Sequence, residues 1–239
     1  MMKPKRGLLV RVAADQSEGG GRWNGPVDPR DGSFAYVPIP ESKSIRPGMQ
    51  KRYVLVAPAL TRFNLSLPSH LTARSMHLDP DFDHLTYGDQ GQRANQIQAK
   101  LTAGDLLVFY AGMRDVQGGG LVYALIGLYI VEAILPVRDI PKSLWPHNAH
   151  TRRHFQAADS DIVLTARRGS SGRLANCIRI GEFRDRAYRV TKPLLAEWGG
   201  ISVNNGYLQR SARLPELNDA ARFYEWFQNQ KPKLLPRNN

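Results

Sequence analysis

The segment Leu101–Glu132, LTAGDLLVFYAGMRDVQGGGLVYALIGLYIVE, constrains the fold more than any other part of the chain. It reads as a Gly-Asp turn, an apolar strand over Leu106–Ala111, a glycine-rich hairpin loop and a second long strand. The apolar run Leu121 to Val131 is too short to span a bilayer, which takes about 20 residues. Its β-branched and aromatic content predicts a buried strand instead.

This pattern resembles small PUA-like β-barrels, including EVE and ASCH domains, where GD-apolar-FY is followed by a loop and an IG-apolar-V strand. Such barrels commonly hold a nucleobase, often a modified one, between strands. The resemblance implies an α+β fold with a PUA/EVE/ASCH-like mixed β-barrel core and short flanking helices. With 239 residues, 42% of them hydrophobic, the chain can bury a sizeable core. It reads as a single domain, 1–239, with the barrel core over about 50–135 and a basic C-terminal part, 142–230, packed on it. Further strands are expected over Gly7–Ala14, Ser33–Ile39, Arg52–Val56, Ile162–Thr165 and Tyr188–Val190. Helices are expected over Arg93–Leu101, Lys192–Trp198 and Ala220–Gln228.

Charge points to a partner class. The chain carries a formal net charge of +12, and from Lys142 to Asn239 it holds 17 Lys/Arg against 8 Asp/Glu. A surplus so placed suits a polyanion, most simply nucleic acid, because neutralising phosphates releases counterions. A generally basic protein without such a partner is the alternative. The single cysteine, Cys177, excludes an intrachain disulfide and a cysteine-built zinc site. The start, MMKPKRGLLVRVAAD, has a basic flank, but Arg11 interrupts its apolar run, so a cytoplasmic location without membrane contact is expected.

Four constellations carry chemistry. Asp79, Asp81, Asp83, His84, Tyr87 and Asp89 place a histidine among carboxylates and a phenol, suited to general acid–base work, or else form a solvated turn. His147, His150 and His154 have the spacing of one helical face and would suit zinc. Pro146 precedes them and no acidic or cysteine ligand lies nearby in sequence, so with Arg152 and Arg153 a polar binding surface is preferred and no metal is assigned. Cys177 is either a small buried hydrophobe or, given an activating neighbourhood, a nucleophile. Trp198-Gly199-Gly200, Asn204-Asn205-Gly206-Tyr207 and Gln209-Arg210 combine a tight turn with amides that can read a base edge and an aromatic that can stack.

Taken in order, AADQSEGGGRWNGPVDP (13–29), FAYVPIPE (34–41), HLDPDFDHLTYGDQGQR (77–93), LTAGDLLVFYAGMRD (101–115), NAHTRR (148–153) and YRVTKPLLAEWGGISVNNGYLQRSAR (188–213) resemble the third nucleotide-modification-associated domain family, found beside DNA base-modification genes. Within it the chain is most similar to enzymes that hydrate the nitrile of 7-cyano-7-deazaguanine in DNA to the 7-amide, in a pathway linked to phage defence. The resemblance implies a partner, DNA carrying a modified guanine, together with other proteins of the modification cluster, and no cofactor. It implies pocket contacts from Asp15, Asn24, Asp28, Glu41, Asn148 and His150, to which Trp23 and Tyr110 are added as nucleobase-binding rings that can stack. DNA contacts would come from Arg152, Arg153, Arg167, Arg168, Gln209, Arg210 and Arg213.

That chemistry requires an activated water or a covalent nucleophile, and an acid for the developing imidate nitrogen. Catalytic candidates are Asp83, His84, Tyr87, Asp89 and Cys177. Either Cys177 attacks to give a thioimidate, or Asp83 or His84 activates water while Tyr87 or Asp89 donates; the water route is preferred. Reaching the base requires flipping it from the duplex, with stacking on Trp23, Tyr87 or Tyr110 offsetting part of a cost of a few kcal/mol. The competing readings are a non-catalytic reader of a modified base and a base-excising or nuclease component of a restriction system.

Overall fold

The computed structural model describes residues 3–15, 23–156, 158–209 and 211–239. Gly7–Arg11 forms β1, and Pro26–Val27 (β2) and Ile39–Pro40 (β3) are short extended pieces. The helices α1 (Ala57–Thr61) and α2 (Ser69–Thr72) precede β4 (Met76–His77), β5 (Thr86–Asp89) and α3 (Gly91–Lys100). The Leu101–Glu132 segment forms the expected hairpin, with β6 over Leu106–Asp115 and β7 over Leu121–Pro136. Beyond it lie α4 (Ala149–Arg152), β8 (Ile162–Ala166), β9 (Gly172–Arg179), β10 (Gly181–Arg184) and β11 (Ala187–Val190). The chain finishes with α5 (Lys192–Trp198), α6 (Ala220–Asn229) and β12 (Leu234–Leu235).

The main sheet runs β1-β6-β7-β8-β5, with β1 parallel to β6 and the other neighbours on this path antiparallel. Strand β7 is its spine. Its first half pairs with β9 and its second half with β8, while β6 lies along the other side. A strand long enough to serve two neighbours makes the sheet branch. The α+β class stands, and no pairing among the described residues closes the sheet into a barrel.

Alternation along the hairpin explains why both faces are covered. Leu107, Phe109, Ala111 and Met113 point into one apolar cluster, and Leu106, Val108 and Tyr110 into another. On β7, Val122, Ala124 and Ile126 share the first cluster, yet beyond Gly127 it is Tyr129 and Val131 that do. The register shift between Leu125 and Gly127 produces this change of parity, as an extra residue in a strand must. Gly127 is required there, because a Cβ would meet Phe82 and the Gly172 carbonyl within 3 Å. The first face carries residues 34–101. The second carries Trp198, Phe223, Trp226 and Phe227 of the C-terminal helices.

Three local expectations are corrected. Arg52–Val56 is not a strand: Tyr53–Val56 is a 3-10 turn running into α1, whose first turn accepts Pro58. The histidines of 147–154 do not share a helix face. His147 closes a separate 3-10 turn containing Pro146, and Arg153 is already extended. Ser33–Ile39 lacks a continuous strand, with Phe34 making a single bridge to Val27. No helix among the described residues is long and apolar enough to cross a membrane.

Candidate active site

A polar cleft of about 260 Å³ opens where β3, β4, β5 and α4 meet. Its geometry follows from extended-chain periodicity. His77 and Asp79 lie two residues apart and both line the cleft, as do Tyr87 and Asp89 on β5. The remaining imidazole, His150, arrives from α4, whose N-cap Asn148 accepts the His150 amide at 2.8 Å. The helix can approach β5 this closely only because residue 88 is glycine. A Cβ there would lie 2.8 Å from Asn148 Oδ1, 2.9 Å from His150 Cγ and closer still to His150 Cδ2.

Each imidazole is oriented from behind by a carboxylate. Glu41 Oε2 lies 2.9 Å from His77 Nδ1, and Asp161 Oδ2 lies 2.6 Å from His150 Nδ1. Burial alone would raise Glu41, but hydrogen bonds from His77 and Arg153 outweigh it and hold the carboxyl well below its usual range. Burial likewise opposes the bond from His150 to Asp161, and the bond wins. Both carboxylates are therefore acceptors, so each Nδ1 carries a proton and each Nε2 is the ring atom left facing the cleft. The contact of Arg153 Nη2 with His77 Nδ1 at 3.0 Å is then close packing, because Nδ1 cannot donate and accept together. Arg153 finds its acceptor in Glu41, at 2.7 Å.

Both Nε2 atoms face Asp79 Oδ2, His77 at 3.8 Å and His150 at 3.5 Å. The Gly88 amide donates to both oxygens of Asp79, at 2.9 and 2.8 Å. All three side chains are buried. Burial raises Asp79 well above the ordinary carboxyl value and depresses His77 to about 3. Also lining the cleft, the Tyr87 hydroxyl donates to Asp89 Oδ2 at 2.5 Å and accepts from Arg93 Nη2 at 2.8 Å. Burial keeps that phenol protonated. A narrow crevice sharing Arg11 and Arg93 with the cleft leads to Gln209 and Arg213.

A family model described as nucleotide modification associated domain 3 matches residues 6–222. The chain belongs to the nucleotide modification associated domain 3 family. That description ties it to nucleic-acid modification. Comparison with curated proteins and with solved structures gave no match.

In this member of the nucleotide modification associated domain 3 family, the expected residues divide sharply. Glu41, Tyr87, Asp89, Asn148, His150 and Arg153 meet at the cleft, and Arg213 and Gln209 lie in the adjoining crevice. Asp83 and His84 are elsewhere. Asp83 is exposed and caps the Asn238 amide, and His84 stacks on His147 at 4.1 Å in a second cavity that also contains Arg168. Cys177 lies on β9, outside the cleft lining, and burial pushes its thiol up to about 12, so a thiolate attack is not available there.

Tyr110 is no stacking platform, because its ring is in the second core and its hydroxyl donates to the Leu208 carbonyl. Trp23 packs partly buried against the first core, and Asn24 donates to the Gly112 carbonyl. Asp15 pairs with Arg11 at 2.7 Å and Asp28 with Arg30 at 2.6 Å. Arg152 is corrected from a DNA contact to an internal cation, held by Asp81 at 3.3 Å and the Leu78 carbonyl at 3.0 Å. Arg153 is likewise turned inward, onto Glu41. Arg167 and Arg168 are exposed, and Arg210 lies outside the described residues. Sequence reasoning missed His77, Gly88, Arg93 and Asp161, and gave Asp79 no role of its own. The two-residue spacing of His77 and Asp79 was the available signal.

Proposed function

We propose that the cleft is the active site of a DNA base-modification enzyme that hydrates the nitrile of 7-cyano-7-deazaguanine to the 7-amide. The observation that supports this reading best is the convergence of two carboxylate-backed imidazoles and Asp79 on one point, in a cleft that a protonated phenol also lines. A flipped base would occupy this cleft of about 260 Å³, with the exposed Arg167, Arg168 and Arg213 as candidate phosphate contacts.

In this scheme the nitrile carbon accepts the oxygen of a water held at the His77–Asp79–His150 focus. The C–O bond forms as one carbon–nitrogen π pair moves onto nitrogen, and the water gives up a proton at the focus. The imidate nitrogen takes a proton from the Tyr87 hydroxyl, which Arg93 and Asp89 hold in place. An imidate nitrogen is a strong enough base to draw the proton from a buried phenol. The imidic acid then moves its O–H proton to nitrogen, giving the primary amide, while Tyr87 is reprotonated with the proton released at the focus. One water is added in total.

The test is incubation with DNA containing 7-cyano-7-deazaguanine, digestion to nucleosides and mass analysis. A gain of one water is expected, and Tyr87→Phe should slow it by about 10²–10⁴-fold with DNA binding retained. An unchanged nucleoside bound tightly would overturn the enzyme in favour of a reader, and abasic sites or strand breaks would replace hydration by excision.

A further inference from the structure

We infer that His77, Asp79 and His150 together bind one divalent first-row transition-metal ion in the cleft. The candidate ligand atoms all lie within 4.8 Å of one another, with Asp79 Oδ2 3.8 Å from His77 Nε2 and 3.5 Å from His150 Nε2. Bonds of about 2.0–2.2 Å around one ion put neighbouring ligand atoms roughly 3–3.5 Å apart, so the Asp79 contacts need to shorten by a few tenths of an ångström, and the two imidazoles, within 4.8 Å of one another, by roughly an ångström at most. Both Nδ1 positions are already engaged behind, and Asp79 Oδ2, which accepts from the Gly88 amide, keeps a second lone pair for an ion.

The surroundings are those of a metal centre. Glu41 behind His77 and Asp161 behind His150 fix ring orientation and tautomer at 2.9 and 2.6 Å, leaving both Nε2 atoms directed inward. Asp79 is itself fixed by the Gly88 amide. Two imidazoles and one carboxylate form a borderline nitrogen–oxygen set that suits ferrous iron, manganese, cobalt or zinc rather than calcium or magnesium. All three come from one wall of the cleft, from β4, the residues just after it and α4. Coordination positions toward the open side are left for water or substrate, as in catalytic rather than structural sites. Bound there, the ion would lower the pKa of a coordinated water. The site goes beyond the hydration reading and stands even if the base is a different one.

The test uses full-length protein dialysed against chelator and titrated with Co²⁺, followed by visible absorption and calorimetry. One equivalent per chain with ligand-field bands is expected, displaced by Zn²⁺. Proton NMR of the Co²⁺ form should show two exchangeable, strongly shifted resonances, from Nδ1–H of His77 and His150. Glu41→Gln should weaken Co²⁺ binding about 10–100-fold, through the lost support of His77. His154→Ala, exposed and outside the cluster, should leave it unchanged. Failure of the folded wild-type protein to bind stoichiometric Co²⁺, or absence of the two shifted resonances, overturns the inference. Hydration undiminished in chelator-treated protein that binds no Co²⁺ would remove the ion and leave the hydration reading in place.

Discussion

Gly88→Ala tests whether the approach of α4 to β5 builds the candidate active site. A Cβ at residue 88 would stand 2.8 Å from Asn148 Oδ1 and 2.9 Å from His150 Cγ, against about 3.4–4 Å for ordinary van der Waals packing. The neighbours are a capping side chain and a buried ring held by Asp161, so neither can swing away without losing a hydrogen bond. The backbone at Gly88 is not in the left-handed region, so alanine brings steric pressure without backbone strain. Overpacking of this kind costs about 1–3 kcal/mol, which lowers the melting temperature of a protein this size by roughly 2–12 °C. Moving His150 by an ångström would cost turnover on the order of 10²-fold. The assays are thermal unfolding and nucleoside mass analysis on one preparation. Gly120→Ala is the control, since a Cβ there meets nothing within 4 Å, and its effect should stay within about 0.5 kcal/mol. Wild-type turnover by a folded Gly88→Ala protein would refute this account of how His150 is placed.

Other expectations are independent of that one. Arg153→Met should destabilise the fold by about 1.5–3 kcal/mol in denaturant titration, because Glu41 loses its charged donor while keeping the bonds from His77 and the Ser42 and Lys43 amides; a loss under about 0.5 kcal/mol would contradict the pairing. Cys177 should alkylate at pH 8 on the order of 10³-fold more slowly in the native than in the unfolded chain, since its thiol is moved from 9.0 to about 12. Cys177→Ala should keep full hydration activity, and its inactivity would return the thioimidate route to consideration. Trp198→Ala, which empties the centre of the Phe223–Trp226 cluster, should cost about 3–5 kcal/mol by calorimetry.

The hairpin was legible because its apolar runs are long and bounded by glycine and aspartate, and helices α3, α5 and α6 because of their periodicity. The branching of β7 was not, since period-2 alternation says nothing about which neighbours pair with each half of a strand. At the cleft, Tyr87 and Asp89 were legible from chemistry gathered in one short segment. Asp161 was not, because it joins His150 only through the pairing of β8 with β5 and β7. Asp83 and His84 misled for a local reason: the chain turns over Phe82–Leu85, with Leu85 at φ 55°, and carries them to the opposite side of Asn148. The zinc arrangement that the 147–154 spacing would suit, set aside from the sequence in favour of a polar binding surface, fails on helix length. His150 nonetheless has two carboxylates beside it, supplied by distant segments.

The interior pairings also locate the charge that DNA would meet. Arg11, Arg93, Arg152 and Arg153 are largely or fully buried, and each faces one carboxylate, Asp15, Asp89, Asp81 and Glu41 respectively. These four pairs are neutral as a set, so they leave the surplus of +12 untouched and displace it onto the rest of the molecule. The paired arginines of the cleft therefore offer little net attraction for a phosphate, and exposed cations such as Arg213, in the adjoining crevice, offer more. On the proposed function, specific groups would hold the base while diffuse charge would hold the backbone. Added salt should then weaken DNA capture, with log affinity falling by about 0.9 for each neutralised phosphate per tenfold rise in salt, and leave turnover at saturating DNA almost unchanged. Arg213→Ala should make that slope shallower by about one phosphate's share. If salt instead lowered turnover at saturation, the charge would be acting inside the cleft and this division of labour would be wrong.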